Sequence, residues 1–135
     1  MKRYLLAVIG VFLAWSVLDF VFHGVLLKSE YEATAHIWRP LEEVNMVLAN
    51  LVTLVLAVLY TGLYQTLIHP KNMTRALKMG GYIGLMSGIS TGLGFYCYML
   101  IPLTLAAGWM VTWTVEMLAA SAVVGAILKE PELAP

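Results

Sequence analysis

The sequence predicts an all-α integral membrane protein, a four-helix transmembrane bundle with one short helix in an outer loop. The first observation is composition, since 61% of the residues are hydrophobic and only 12% are charged. An ordinary soluble domain is about 45–50% apolar and about 25% charged. The second observation is a set of four long apolar stretches, and the third is the placement of the positive residues. Together they indicate that lipid is the solvent around this chain.

The four apolar stretches define four predicted spans within a single transmembrane domain, residues 1–135. They cover approximately residues 4–27, 41–68, 76–101, and 103 or 108 to 128. Each exceeds the ~20 residues that a helix needs to cross the hydrocarbon core. None alternates strictly between apolar and polar residues, which favours helices over barrel strands. The first stretch is also too long for a signal peptide, so we expect it to remain as a span.

The positive residues predict the orientation. With four spans, the N-terminus, the 69–78 connection and the C-terminus lie on one side of the membrane. That side carries six of the eight positive residues, Lys2, Arg3, Lys71, Arg75, Lys78 and Lys129, whereas Lys28 and Arg39 lie on the other. Cytoplasmic segments are enriched in Lys and Arg. We therefore expect both termini in the cytoplasm.

The loop between the first two spans is the only sizeable one. Ser29 and Glu32 have the spacing of a capping box, which predicts that a short helix starts there. Pro40, followed by Glu42 and Glu43, is typical of a helix N-terminus. Proline has no amide proton to leave unpaired there, and the carboxylates favour the positive end of the helix dipole. The second span is therefore predicted to begin near Pro40.

Glycines recur every fourth residue in the third predicted span, at Gly80, Gly84, Gly88 and Gly92. Such a stripe lets another helix backbone approach closely, which is how helices gain packing energy in lipid. One interpretation is that spans three and four pack together within one subunit. The other is a groove that receives a partner helix or a flat ligand.

Ionisable and polar residues in three spans predict a buried cluster. Asp19 and His23 share one face of the first span, because they are four residues apart. Glu116 lies in the fourth span. A polar stripe on the second span would bring Glu43 near His23 and Asn50 near Asp19. Counted inward from the predicted outer ends of the spans, these groups fall in the outer half of the membrane.

Three hypotheses compete for this cluster. It is a hydrogen-bonded structural knot that sets the helix register, or a proton-, ion- or small-solute site, since intramembrane ionisable residues commonly mark function. In the third hypothesis Asp19, His23 and Glu116 bind a divalent metal. No paired-histidine motif supports that geometry, and the sequence requires no cofactor.

Several function classes are disfavoured. The net charge is zero and no basic stretch is interleaved with aromatic residues, so we expect no nucleic-acid partner. Cys97 is the only cysteine, which excludes an intramolecular disulfide. The sequence contains no nucleophile elbow and no phosphate-binding glycine loop, and the absence of such motifs favours a non-catalytic protein.

The layout resembles small four-span bacterial membrane proteins of unknown function, the DUF1761-like proteins. The resemblance rests on a first span that ends in residues 22–27, a loop from Tyr31 to Trp38, and a glycine-rich third span. It implies a four-span architecture alone and carries no activity. The Asp19–His23 pair and the segment Trp38-Arg39-Pro40 depart from the pattern of those proteins. We expect the protein to lie in a bacterial inner membrane.

Two functions remain open from the residues. The first is a non-catalytic accessory or self-associating component of a membrane complex, packed through the glycine-rich span, with lipid, further copies or other membrane subunits as partners. The alternative is a small ion- or proton-coupled transporter or sensor that uses the buried cluster.

Overall fold

The computed structural model describes residues 1–130, and all regular secondary structure in that part of the chain is helical. Within residues 1–130, five α-helices follow one another: α1 Lys2–Asp19, α2 Lys28–Ala33, α3 Met46–Leu67, α4 Met73–Gly88 and α5 Leu103–Ile127. Helices α1 and α4 each continue into a π-helical segment, Phe20–Leu26 and Ile89–Gly94 respectively. The prediction of an all-helical protein is confirmed.

Three helices are long and apolar enough to cross a membrane. They are the continuous helix Lys2–Leu26, α3 and α5, and they correspond to the first, second and fourth predicted spans. Many of their large apolar side chains face outward, as Val47 does at 82% exposure and Leu59 at 62%. Water would disfavour so much apolar surface, whereas acyl chains solvate it. These features indicate a membrane protein.

The third predicted span is not among these three helices. Helix α4 and its π-helical continuation run from Met73 to Gly94, which is long enough to cross a bilayer. Glycine, serine and threonine replace apolar side chains along this segment, and Arg75 and Lys78 lie in its first turns. Its length therefore matches the prediction, while its apolar character is weaker than that of the other three helices.

Two helix starts differ from the prediction. The loop helix α2 is present, but no side chain caps it, because Leu27 occupies the capping position. Helix α3 begins at Met46, where the Asn45 side chain accepts a hydrogen bond from the Leu48 amide at 2.9 Å. The residues Leu41–Glu43 form a separate 3₁₀ turn. The predicted start of the second span near Pro40 is therefore wrong, because Asn45 supplies a better cap five residues later.

Helix α5 is the centre of the bundle. It packs against α4 on one side and against α1 on the other, and α3 packs mainly against α1. Consequently α3 and α4 are not packed along their lengths, although they are consecutive in sequence. The short connections place residues 27–45 and 95–102 at one end of the bundle, here called the loop end. The chain start, residues 68–72 and residues 128–130 lie at the other, the terminal end.

The glycine stripe of α4 lies directly against α5. A Cβ atom at Gly84 would come within 2.9 Å of the Thr114 Cα atom, and one at Gly88 within 2.6 Å of the Met110 carbonyl oxygen. Gly80 and Gly92 approach the α5 backbone as closely, at Met117 and Ala106. Backbone contact at this distance is possible only without side chains. The stripe is thus occupied by the same chain, as the single-subunit interpretation predicts.

Candidate polar site between helices α1, α3 and α5

The first helix changes geometry where its polar residues lie. Asp19 is the last residue of α1, and His23 lies within the π-helical segment that follows. The amide of Leu27 donates to the carbonyl of Phe22, five residues earlier, at 2.8 Å. The His23 Nε2 atom lies 3.9 Å from the Asp19 Oδ1 atom. Short π-helical segments inside α-helices are frequent at functional sites.

Tyr31 of α2 connects His23 to α5. The indole Nε1 of Trp109 donates a hydrogen bond of 2.6 Å to the Tyr31 hydroxyl oxygen. The same oxygen lies 2.6 Å from His23 Nδ1. Burial raises the pKa of Tyr31 above its usual value, and the nearby Asp19 raises it too, while the Trp109 hydrogen bond opposes the shift. The hydroxyl therefore stays protonated near neutral pH and can donate to the imidazole.

Glu116 lies near the middle of α5 and is 7% exposed. Its Oε1 atom is buried and has no hydrogen-bond partner in the described part of the chain. The indole of Trp15 donates a 2.9 Å hydrogen bond to the Glu116 backbone carbonyl, which joins α1 to α5 at this level. Burying a carboxyl oxygen without a hydrogen-bond partner costs free energy.

Glu116 lines a cavity of about 200 Å³ together with Asp19 and His23. Three helices line this cavity, and α4 contributes no residue. The lining residues are Trp15, Asp19 and His23 from the first helix, Thr53 and Leu56 from α3, and Trp113, Glu116 and Met117 from α5. Two carboxyl groups and one imidazole thus share a small space whose other walls are aromatic or apolar, except for the hydroxyl-bearing Thr53.

The structure brings together three of the five residues predicted for the cluster: Asp19, His23 and Glu116. Glu43 lies exposed in the 3₁₀ turn before α3, and Tyr31 takes the place beside His23 that was predicted for Glu43. Asn50 is also exposed, and its side-chain amide donates to the Met46 carbonyl at 2.7 Å within its own helix. The predicted polar stripe reaches the cavity through Thr53 alone.

Two residues of the site, Trp113 and Tyr31, are absent from the sequence-based prediction. Trp113 precedes Glu116 by three residues, so helical periodicity could have placed both on one face of α5. Tyr31 carries no such signal, because it lies in the loop and reaches His23 only through the path of the chain. Its position depends on contacts with Trp38 and Trp109, whose rings meet 5.9 Å apart beside it.

A metal site at this cavity is not supported. Among residues 1–130, no three His, Cys, Asp or Glu side chains converge closely enough to hold a metal ion. Asp19 lies 3.9 Å from His23 and adjoins the side chain of Glu116, and all three residues line the same cavity. Their arrangement instead suits exchange of a proton, or contact with a ligand large enough to touch separate walls.

A second polar cluster ties the terminal end together. The Lys71 Nζ atom donates a hydrogen bond of 2.8 Å to Glu130 Oε1. The backbone amide of Glu130 donates a further hydrogen bond of 3.0 Å to the Lys71 carbonyl oxygen. His69 Nδ1 lies 3.3 Å from the same carboxylate oxygen. The hydrogen bonds from Lys71 lower the pKa of Glu130 to about 2. This cluster attaches the segment that follows α5 to the connection between α3 and α4.

Compared with protein-family models, with curated proteins and with solved structures, the chain matches none. The resemblance to the small four-span proteins described above therefore stays a prediction.

Proposed function

We propose that this chain is a small proton-responsive membrane protein, a transporter or a sensor, that works through the cavity between α1, α3 and α5. The observation that carries the proposal is the Glu116 carboxyl group, buried and without a hydrogen-bond partner for Oε1, facing the same cavity as Asp19 and His23. Ionisable groups within a membrane are expensive and commonly mark a functional path. A purely structural knot would be expected to pair all of its buried oxygens.

The titratable groups that line the cavity come from two helices. Asp19 and His23 belong to the first helix and Glu116 to α5, while Tyr31 of α2 lies outside the cavity and contacts His23. The α3 contribution, Thr53, is polar but not titratable. Protonation of either carboxyl group would therefore change the charge of the cavity directly. A change of this kind can be coupled to ligand release or to helix movement.

The test is a pH titration of the full-length protein in lipid nanodiscs, followed by the fluorescence of the cavity tryptophans. The wild type should show a reversible transition that Glu116→Gln removes and Asp19→Asn shifts, while both variants keep their helical circular dichroism. Glu32→Gln is the matched control, because Glu32 is exposed and pairs with Lys28. If Glu116→Gln folds and retains the full transition, the proposal is overturned. If Glu116→Gln does not fold, an unshifted transition in Asp19→Asn overturns it.

The proposal includes four spans with both termini in the cytoplasm of a bacterial inner membrane. The support is that α4 packs along α5, so that a bilayer crossed by α5 would surround α4 as well. The excess of positive residues at the terminal end favours a cytoplasmic location of both termini.

Single cysteines introduced by Ser29→Cys and Lys129→Cys, in a Cys97→Ser background, test this orientation. An impermeant maleimide added to intact cells should label position 29 and not position 129, and the reverse result contradicts it.

A second candidate function is an accessory or self-associating subunit. It is favoured by α3, whose outward face carries Val47, Leu51 and Val55, all about half exposed or more. The glycine stripe does not support it, because α5 covers that face. A native mass measurement in mild detergent tests this function directly. A single mass equal to one chain argues against it, whereas a homo-oligomer or bound foreign subunits support it.

A further inference from the structure

The cavity at Glu116 combines two carboxyl groups with two indole rings, and this combination indicates its ligand. We infer that the site takes a small lipophilic organic cation, such as a protonated amine or a quaternary ammonium group with an apolar substituent. The inference rests on the proposed function, since it names the substrate class of the same site.

The charge of the lining favours a cation. Asp19 and Glu116 both face the cavity, and no Lys or Arg side chain lines it. His23 is the one basic group, and it is engaged by Asp19 at 3.9 Å and by the Tyr31 hydroxyl at 2.6 Å. The Oε1 atom of Glu116 is buried and has no hydrogen-bond partner within residues 1–130, and the carboxyl group of Asp19 adjoins that of Glu116. A cationic ligand beside the two carboxyl groups would interact favourably with both. An anion would instead meet two carboxyl groups in a poorly screened environment.

The walls favour an organic cation over a bare metal ion. The carboxyl groups do not converge with a third ligand within residues 1–130, so a metal ion would lack a coordination shell. The remaining walls include Trp15, Trp113, Leu56 and Met117. An ammonium group with alkyl substituents contacts indole faces through cation–π attraction. Its alkyl groups pack against leucine and methionine without the cost of stripping a hydrated ion.

The adjoining space explains why the cation should carry an apolar substituent. The cavity of about 200 Å³ is smaller than the ~300–1,000 Å³ of typical ligand pockets. A second cavity of about 320 Å³ lies beside it and shares four lining residues, Trp15, Leu56, Trp113 and Met117. It occupies the gap between α3 and α4, and its further walls include Leu59, Leu63 and Ile83. A charged head at the carboxyl groups can therefore extend an apolar tail into this gap.

Proton coupling follows from the same geometry. Protonation of Asp19 or Glu116 removes the negative charge that attracts the ligand, and protonation of His23 adds a repelling positive charge. Both effects act in the same direction, so affinity for the cation should fall as the pH falls. The ligand and the proton would thus compete for one site.

The experiment measures the binding of hexyltrimethylammonium to the full-length protein in phosphatidylcholine nanodiscs by equilibrium dialysis. The comparison ligands are tetramethylammonium, which lacks the tail, and hexanesulfonate, which carries the opposite charge. Hexyltrimethylammonium should bind saturably, tetramethylammonium more weakly, and hexanesulfonate should not bind. Asp19→Asn and Glu116→Gln should each weaken binding about tenfold or more, and Trp113→Leu about threefold to thirtyfold. Glu42→Gln, on an exposed residue outside the cavity, is the control and should bind as the wild type does.

Three results would overturn the inference: equal binding of hexanesulfonate, binding that survives Asp19→Asn unchanged, or affinity that rises as the pH falls. Should Glu116→Gln fail to fold, Asp19→Asn still decides the question, because its side chain is about half exposed. The pH titration of tryptophan fluorescence, recorded on the same nanodiscs without ligand, separates the two proposals. A proton response without cation binding overturns the ligand class alone, whereas the loss of both overturns the proposed function as well.

Discussion

The indole nitrogen of Trp15 donates a hydrogen bond of 2.9 Å to the backbone carbonyl oxygen of Glu116, a residue 101 positions later in the sequence, and so joins α1 to α5. The bond is buried, and the Trp15 ring also meets Tyr60 of α3 edge-on at 5.5 Å between centroids. One side chain therefore sets the relative height of α1, α3 and α5 at the level of the cavity. Glu116 faces the cavity because its own helix is held at this height.

We expect Trp15→Phe to destabilise the protein by about 1 kcal/mol, because a buried hydrogen bond is lost while most of the aromatic packing remains. Thermal unfolding in mild detergent measures the change. The matched control is Trp113→Phe, since Trp113 lines the same cavity and its indole makes no hydrogen bond within residues 1–130. Equal destabilisation by the two variants would contradict the role given to the Trp15 hydrogen bond.

Replacement of the stripe glycines should destabilise the packing of α4 on α5. In Gly88→Ala the new methyl group would lie 2.6 Å from the Met110 carbonyl oxygen, a backbone atom that cannot move aside cheaply. We expect a loss of about 1–3 kcal/mol, as for other overpacked sites. Unfolding by titration with a denaturing detergent measures it.

Gly81→Ala is the internal control for that series. A Cβ atom at Gly81 meets nothing within 4 Å, so this variant should be neutral or stabilised by up to about 1 kcal/mol, since alanine favours the helix. If Gly81→Ala and Gly88→Ala behave alike, helix propensity and not packing governs the stripe.

The Glu130 carboxylate should make stability depend on acid pH. Its pKa is lowered to about 2 by hydrogen bonds from Lys71, below the ordinary value of 4.5. A carboxyl group with a depressed folded-state pKa stabilises the fold above its unfolded pKa, and this contribution is lost as the pH falls through the folded value. The wild type should therefore lose stability between about pH 4.5 and about pH 2.

Glu130→Gln should remove that contribution. Its melting temperature should lie below that of the wild type at pH 7, and the two should converge near pH 2. The exposed pair of Lys28 and Glu32 offers the comparison, because both side chains are about two-thirds exposed and 3.7 Å apart. We expect Glu32→Gln to change the melting temperature little. A constant difference between Glu130→Gln and the wild type at all pH values would contradict the assignment.

Tyr31→Phe should loosen the loop of residues 27–45 from the bundle. The change removes the acceptor of the Trp109 indole and the partner of His23 in one step, at a cost of about 1 kcal/mol. We expect faster proteolysis in residues 28–45 and a red shift of tryptophan fluorescence as water reaches Trp109. Tyr98→Phe is the control, because Tyr98 is 90% exposed. Identical digestion rates for the two variants would show that the loop is held by other contacts.

Much of the polar site could be predicted from local spacing. Asp19 and His23 are four residues apart on an apolar helix, and any helical geometry places them on one face. Glu116 is the only carboxyl group of α5, and the cost of burying it predicts that it turns away from lipid. These inferences needed no knowledge of which helices are neighbours.

The second span shows where such reasoning fails. Glu43 and Asn50 were assigned to the cluster on the premise of one helix starting near Pro40. The helix instead starts after Asn45, and Leu41–Glu43 forms its own turn. The direction in which a side chain points depends on where its helix starts and on the rotation of that helix about its own axis, which is set by packing against the neighbouring helices. Thr53 reaches the cavity in place of Asn50 for that reason.

The sequence by itself determined that the chain is helical and rich in long apolar stretches, because length and apolar composition are local properties. It predicted four spans, and three of them correspond to helices that are long and apolar enough to cross a membrane. It also determined which ionisable residues are isolated among apolar neighbours. Only the tertiary structure decided that α5 fills the glycine stripe, that Tyr31 contacts His23, and that a gap remains between α3 and α4. These relationships depend on the contacts between distant segments, and helix order in a bundle follows from the sum of all side-chain packing, which no single stretch of sequence contains.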